Sequence, residues 1–176
     1  MEIGMIHIFD ANNWVRRQLE TNLRTSLLRF CFNEIQNVAG TPIVVWDGMN
    51  SRKIRKDKYP LYKEGRQKAS DDIYKSMDLL KQLLELSRAM QIEVPGYEAD
   101  DVIAKLAPKC APAVHVHTTD QDIAALGVTI DRNRPLPCPP NELRLYKALV
   151  GDSSDNVKGI PGFGEKAWAK LTTEDK

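Results

Sequence analysis

Short runs rich in Ile and Val alternate along the chain with stretches where apolar residues return every third or fourth position. Ile3 to Phe9, Thr41 to Trp46 and Ala113 to Thr118 are such runs, and their length and β-branched content predict strands. Between Arg16 and Val38 the residues Leu19, Leu23, Leu27, Phe30 and Ile35 recur at roughly helical spacing. Ser70 is placed to cap a helix whose apolar stripe is Ile73, Met77, Leu80 and Leu84. A further helix is expected from near Ala99 to just before Pro108, because proline breaks the ladder of hydrogen bonds. Gly127 to Asp131 adds a strand, and the proline-rich stretch Pro135 to Pro140 reads as a connector. From Asn141 a helix can run to Val150, followed by a glycine-rich hairpin from Gly159 to Gly164 and a last helix that holds Trp168. Strands alternating with helices predict an α/β fold with a largely parallel sheet.

With 176 residues the chain suits one ordinary domain. No stretch reads as a membrane span or a signal peptide, so a soluble, cytoplasmic protein is expected. Cys31, Cys110 and Cys138 are widely spaced, and the only histidines are His7, His115 and His117; neither a disulfide framework nor a zinc finger is indicated. The net charge of +1 hides a local excess. From Arg52 to Lys68 stand Arg52, Lys53, Arg55, Lys56, Lys58, Lys63, Arg66 and Lys68 against only Asp57 and Glu64, a run that attracts polyanions.

The acids are placed more tellingly. Asp10 and Asp47 directly follow the first two strand runs, and Asp120 and Asp122 follow the third. In a parallel sheet these all reach the carboxyl edge, where open α/β folds hold their sites. Glu98, Asp100 and Asp101 open the helix near Ala99, at the end where the helix dipole favours anions. Asp152 and Asp155, three apart and so able to share a helical face, lie just past Val150. Singly, each acid can be a turn or capping residue. Together they would repel one another unless a cation sat among them. Oxygen ligands without Cys or His suit Mg²⁺ or Mn²⁺ better than Zn²⁺, and two such ions form the usual clamp for phosphodiester hydrolysis.

The segments FDANNW (9–14), VVWDG (44–48), YPLYKEGR (59–66), YEADDVIA (97–104), TTDQDIAAL (118–126) and VGDSSDNVKGIPGFGEKA (150–167) occur in the order of the flap-endonuclease and 5′–3′ exonuclease family. The chain resembles this family, which includes phage 5′ nucleases and the 5′-nuclease domain of bacterial DNA polymerase I, over nearly its whole length. The resemblance implies a PIN-like core over residues 1–140, with a helical arch at about 50–75, and a helix-hairpin-helix element over 141–176, all in one domain. It implies that Asp10, Asp47, Glu98, Asp100 and Asp120, with Asp101 close by, surround one Mg²⁺, and that Asp122, Asp152 and Asp155 serve a second, Mn²⁺ being a substitute. Lys63 and Arg66 would reach the scissile phosphate from the arch, and Arg52, Arg55 and Lys56 would add to its DNA-binding charge.

Gly159, Gly162 and Gly164 around Pro161 are similar to a helix-hairpin-helix turn, in which positive φ lets bare N–H groups approach a phosphate. The resemblance implies that this turn grips duplex backbone, with Lys166 adding charge, and can hold K⁺ on its carbonyls. Such contacts position DNA without reading sequence, so selectivity for branched, flap or nicked structures is expected, and RNA–DNA hybrids are within reach. A monomer working in a bacterial or phage-infected cell is implied. The segment from Ile123 to Asn141 is shorter than in most relatives, and the chain stops soon after the hairpin, as in a compact or truncated member. Where many relatives place a base-stacking aromatic this chain has Arg16; Trp14 or Arg16 can take that role, although core packing is the commoner fate of such a Trp. The rivals are weaker. A silent branch-binding protein would lack some acids, a PIN-type ribonuclease would lack the hairpin, and an aspartyl phosphatase would want Asp where Asn12 stands.

Overall fold

A computed structural model describes residues 4–20, 27–66, 70–131 and 135–171. Leu23 and Lys68 lie outside the described residues, as does the side chain of Leu19. The order of elements is β1 (Ile6–Asp10), α1 (Ala11–Glu20), α2 (Leu27–Asn37), β2 (Thr41–Trp46), α3 (Lys53–Lys58), α4 (Asp71–Leu84), β3 (Met90–Glu93), α5 (Ala99–Cys110), β4 (Val114–His117), α6 (Gln121–Ala124), β5 (Thr129–Ile130), a 3₁₀ turn (Pro140–Glu142), α7 (Leu143–Val150) and α8 (Glu165–Trp168). The chain falls into two compact units, one of residues 1–52 and 68–133, the other of residues 53–67 and 134–176.

The first unit is an α/β sandwich. Its five strands pair in the order β3-β2-β1-β4-β5, every pairing parallel. Successive strand residues point to opposite faces, so β1 and β2 each feed two cores. Ile8, Ile43, Val45 and Val116 meet Ala99, Ile103 and Ala107 of α5 on one face. Phe9, Val44 and Trp46 meet Trp14 and Val15 of α1, Cys31 and Ile35 of α2, and Leu80 and Leu84 of α4 on the other. Of the expected α4 stripe, Leu80 and Leu84 are buried and Met77 packs partly buried against them, while Ile73 is only partly covered. Ser70 holds its N-cap position but makes no side-chain cap bond; its carbonyl accepts from the N–H of Ile73 at 2.9 Å. Trp14 is fully buried and donates from Nε1 to Glu34 at 2.9 Å, so it is a core residue and not a base-stacking one.

Three expectations are corrected. Helix α5 continues through Pro108 to Cys110. Pro108 stands in the last turn, where the missing N–H forfeits a single ladder bond close to the frayed end. β3 adds a strand that the apolar pattern does not announce, since its sequence MQIE is half polar and lies at the sheet edge. Asp152 and Asp155 do not share a helical face: helix α7 ends at Val150, and residues 152–157 form a loop closed by a two-way backbone bridge between Asp152 and Val157.

In the second unit that loop is laced to the segment 59–66. Tyr59 Oη donates to the Asn156 carbonyl at 2.9 Å, Asn156 Nδ2 donates to the Leu61 carbonyl at 2.9 Å, and the Lys63 N–H donates to the Asp155 carbonyl at 3.2 Å. The segment 59–66 runs as consecutive turns after the short helix α3. Trp168 of α8 packs edge-on against Tyr146 of α7 with ring centroids 5.2 Å apart, which makes the small core of this unit.

Candidate active site

The carboxyl ends of β1, β2 and β4 lie side by side, because the strands are parallel and in register: Asp10 pairs with Val45, and Phe9 with His117. Asp10 is the last residue of β1 and is buried, an unusual place for a carboxylate. Its Oδ1 accepts from the backbone N–H of Asn13 at 3.2 Å and its Oδ2 from the Thr118 hydroxyl at 3.1 Å. Burial pushes its pKa up to about 7, and the nearby charges of Asp47 and Asp120 push in the same direction against those two hydrogen bonds.

Asp47 follows β2 and faces the start of α5, whose Ala99 N–H donates to its Oδ1 at 2.8 Å; Asn12 Nδ2 donates to its other oxygen. The close approach is made possible by Gly48, where a Cβ would stand 1.9 Å from the Val94 carbonyl oxygen. Glu98 and Asp101 form a capping box at the N-terminus of α5, with the Asp101 carboxylate accepting from the Glu98 N–H at 3.2 Å. Capping therefore accounts for two of the candidate ligands, yet Glu98 is also almost wholly buried and pairs with Arg52 at 3.5 Å. Asp100 lies half-buried in the first turn of the same helix. Asp120 caps α6, accepting from the Asp122 N–H at 2.9 Å, and Asp122 itself is exposed.

The structure thus gathers Asp10, Asp47, Asp120 and the Glu98 to Asp101 box at one edge of the sheet in the first unit. It places Arg52 on an acid of that box, where it offsets charge. Asp152 and Asp155 belong to the second unit. Asp152 is held below the usual carboxylate range by its hydrogen bonds to Lys147 and Ser154, which outweigh the opposing effect of burial. Lys63 has φ 51°, a side chain only 9% exposed, and an Nζ 3.6 Å from Asp155 and 4.9 Å from the Tyr62 ring centre. Arg55 donates to Tyr62 Oη at 2.6 Å, while Lys56, Arg66 and Lys166 are exposed. Gly159 and Gly162 take positive φ, 66° and 79°. Gly164 does not; at φ −115° it is the extended N-cap residue of α8, a conformation open to any residue.

Sequence reasoning passed over one cluster. Among the described residues, the His, Cys, Asp and Glu ligand atoms that converge within 4.8 Å of one another are those of His115, His117 and Asp131, on the first unit. The signal was the alternation Val114-His115-Val116-His117, which sends both imidazoles to one face of a strand.

A family model described as 5′-3′ exonuclease, N-terminal resolvase-like domain, matches residues 7–133. The chain is 36% identical to the thermostable DNA polymerase I of Thermus aquaticus over 75% of its own length and 18% of the polymerase. It is 32% identical to the 5′-3′ exonuclease of Aquifex aeolicus over 92% of its own length and 66% of that protein. In fold it is similar to the T5 5′-exonuclease with divalent zinc ions bound, at a TM-score of 0.76 and 23% identity, covering 92% of this chain and 72% of that one. The T5 D15 flap endonuclease in a complex with DNA and metal ions gives 0.71 at 22% identity, covering 92% and 71%. The chain spans about a fifth of the length of the polymerases it matches. With the carboxylates of β1, β2, α5 and α6 gathered at one edge of a parallel sheet, and the family match running through all of them, the chain belongs to the family of the 5′–3′ exonuclease N-terminal resolvase-like domain.

Proposed function

We propose that this protein is a Mg²⁺-dependent, structure-specific 5′ nuclease that hydrolyses phosphodiesters near the 5′ end of branched, flap or nicked DNA. The observation that carries the reading is Asp10, a buried carboxylate whose pKa is driven to about 7 partly by Asp47 and Asp120. A hard divalent cation relieves that repulsion, and the donors around Asp10 are oxygens, which suits Mg²⁺ or Mn²⁺. Asp10, Asp47, Glu98, Asp100, Asp101 and Asp120 would hold the ion, and Asp122, Asp152 and Asp155 are assigned to a second one. Bound there, the ions supply Lewis-acid activation of water and neutralise charge on the phosphate.

The protein's own residues do the rest. Thr118 and Asn13 fix both oxygens of Asp10, and Ala99 and Asn12 fix both oxygens of Asp47, so neither carboxylate reorganises during the reaction. Lys63 and Arg66 contact the scissile phosphate, where a cation aimed at a phosphoryl oxygen stabilises developing charge. Lys63 is held against Asp155 in its own unit, so a phosphate would have to take over that contact. Arg55 and Lys56 extend the basic surface, and the turn at Gly159 to Gly164, with Lys166, grips duplex backbone and can hold K⁺. The relatives named as 5′-3′ exonuclease and as DNA polymerase I support this reading and its setting in replication or repair.

The test is incubation with Mg²⁺ and 5′-end-labelled flap, nicked, blunt and single-stranded substrates, with an RNA-initiated 5′ strand as a further arm. Products mapping to the junction or the 5′ terminus are expected, with EDTA abolishing them and Mn²⁺ restoring them. Cleavage that ignores the 5′ end, or that proceeds in EDTA, would sink the proposal.

A further inference from the structure

All three histidines of the chain stand on one face of the sheet of the first unit. β1 and β4 set His7 beside His115 and Phe9 beside His117, so the period of two brings four rings together. The His117 ring stacks on Phe9 at 4.0 Å and 7°, and its centre is 4.6 Å from that of His115. Asp131, directly after β5, brings a single oxygen, Oδ1, to 2.8 Å from His115 Nε2 and 3.2 Å from His117 Nδ1. Ligands about 2.0–2.1 Å from a tetrahedral Zn²⁺ stand roughly 3.3 Å apart, so the two contacts to Asp131 need widen only slightly, with the three ligand atoms already within 4.8 Å of one another.

We propose that His115 Nε2, His117 Nδ1 and Asp131 Oδ1 form a metal site separate from the carboxylate edge, one that takes a transition ion of the Zn²⁺ class and leaves its fourth position to water. Two imidazoles and one carboxylate suit Zn²⁺ or Co²⁺ and not Mg²⁺. The surroundings orient two of the three ligands, His117 and Asp131, as outer partners do in metal sites. His117 Nε2 is 3.0 Å from His7 Nδ1, and His7 is hydrogen-bonded in turn to the Ala39 backbone. With His117 Nδ1 on the ion, its proton sits on Nε2 and is donated to His7, which fixes the tautomers of both rings. Arg17 holds the other oxygen of Asp131. The competing arrangement, in which Asp131 Oδ1 merely accepts from two imidazole N–H groups, uses the same geometry and binds no ion.

The three side chains are 13–28% exposed, enough for entry from solvent. The role fitted to this place is structural. The Asp131 N–H donates to the Thr118 carbonyl at 3.2 Å, and the Thr118 hydroxyl donates to Asp10, so an ion here would fasten the β4 and β5 ends that support the acid edge.

The proposal does not rest on the nuclease reading, and its test uses no DNA. The metal-stripped full chain, in excess Mg²⁺ to occupy hard oxygen sites, is titrated with Co²⁺. One equivalent should produce the intense visible bands of four-coordinate cobalt, displaced by Zn²⁺ and unaffected by more Mg²⁺. The bands should vanish in His115→Gln and in Asp131→Asn and persist in Asp10→Asn. Replacing His7 by Asn, which removes only an outer partner, should weaken Co²⁺ binding about 10–100-fold. Because a variant can fail to fold, the unsubstituted protein is also followed by imidazole ¹⁵N NMR, where Zn²⁺ should shift the ring nitrogens of His115 and His117. Bands that survive His115→Gln and disappear in Asp10→Asn, or imidazole signals indifferent to Zn²⁺, would overturn the site.

Discussion

Asp10 concentrates the tension between folding and function. A carboxylate that loses its hydration in the fold, with two other acids acting on it, disfavours its own ionised form, and its pKa stands at about 7 in place of the ordinary carboxylate value. Below about pH 4 the group is protonated both folded and unfolded and does not discriminate. As pH rises towards 7 the unfolded chain releases the proton first, so in metal-free protein the stability present at low pH is progressively lost. At about 1.4 kcal/mol per unit the loss is at most about 4 kcal/mol. Urea denaturation in EDTA should therefore show stability falling between pH 4 and 7, and Asp10→Asn should flatten that slope and be the more stable protein at pH 8. A parallel slope in both proteins would show that the burial of Asp10 costs nothing. Asp120→Asn tests the other side of the matter. It removes one charge from a half-buried cap while Asn keeps an oxygen for the Asp122 N–H, so folding should be retained and cleavage in Mg²⁺ should fall at least about 10²-fold. Near-native cleavage would remove Asp120 from the ligand set.

At the scale of elements, the 152–157 loop and the hairpin after it depend on a close backbone approach. A Cβ on Gly159 would stand 2.6 Å from both the Gly151 nitrogen and the Val150 carbonyl carbon, and its φ is +66°; Gly162, at +79°, has open space around the same position. Gly162→Ala should cost only the strain of a left-handed residue, about 1–2 kcal/mol. Gly159→Ala adds an overlap that neither backbone can relieve locally, and should cost clearly more in urea denaturation followed by circular dichroism; equal costs would refute the close approach. The same loop shows where reading a sequence stops. Strands β1, β2 and β4, the C-terminal half of the α4 stripe and the acid positions at the strand ends were legible, because Ile and Val recur in short runs wherever a strand face is buried and a parallel sheet aligns the residues at the carboxyl ends of its strands. β3 was not, since an edge strand with polar Gln91 and Glu93 carries little apolar pattern. The geometry of Asp152 and Asp155 was not, because a spacing of three fits a helix and a bridged loop equally well. The His115 and His117 pair stood in plain view, but its third ligand, Asp131, joins it only through the pairing of β4 with β5.

For the molecule as a whole, a net charge of +1 conceals a division of labour. The unit bearing Asp10, Asp47 and Asp120 has 16 acidic against 12 basic residues, and the unit bearing the 59–66 segment and the hairpin has 13 basic against 8 acidic. An acidic unit attracts cations and repels DNA, so attraction for the polyanion has to come from the basic unit, and binding should weaken steeply with salt. Within that unit the lysines are not equivalent. Lys63 is nearly buried, clamped between Tyr62 and Asp155, whereas Lys166 is exposed at the start of α8. A lysine kept this immobile has already lost the side-chain entropy that aiming at a phosphate would cost, as a residue acting on the chemistry should; a free lysine contributes counterion release. Lys166→Ala should therefore weaken DNA binding, reduce the salt slope by about one unit, and recover its single-turnover rate at saturating enzyme. Lys63→Ala should lower that rate about 10²-fold or more at any enzyme concentration. Since losing Lys63 also leaves Asp155 without that partner, Asp155→Asn is needed as a control for folding, read by circular dichroism. If saturation rescued Lys63→Ala as fully as Lys166→Ala, Lys63 would be one more binding residue, and the segment 59–66 would lose its proposed part in the chemistry.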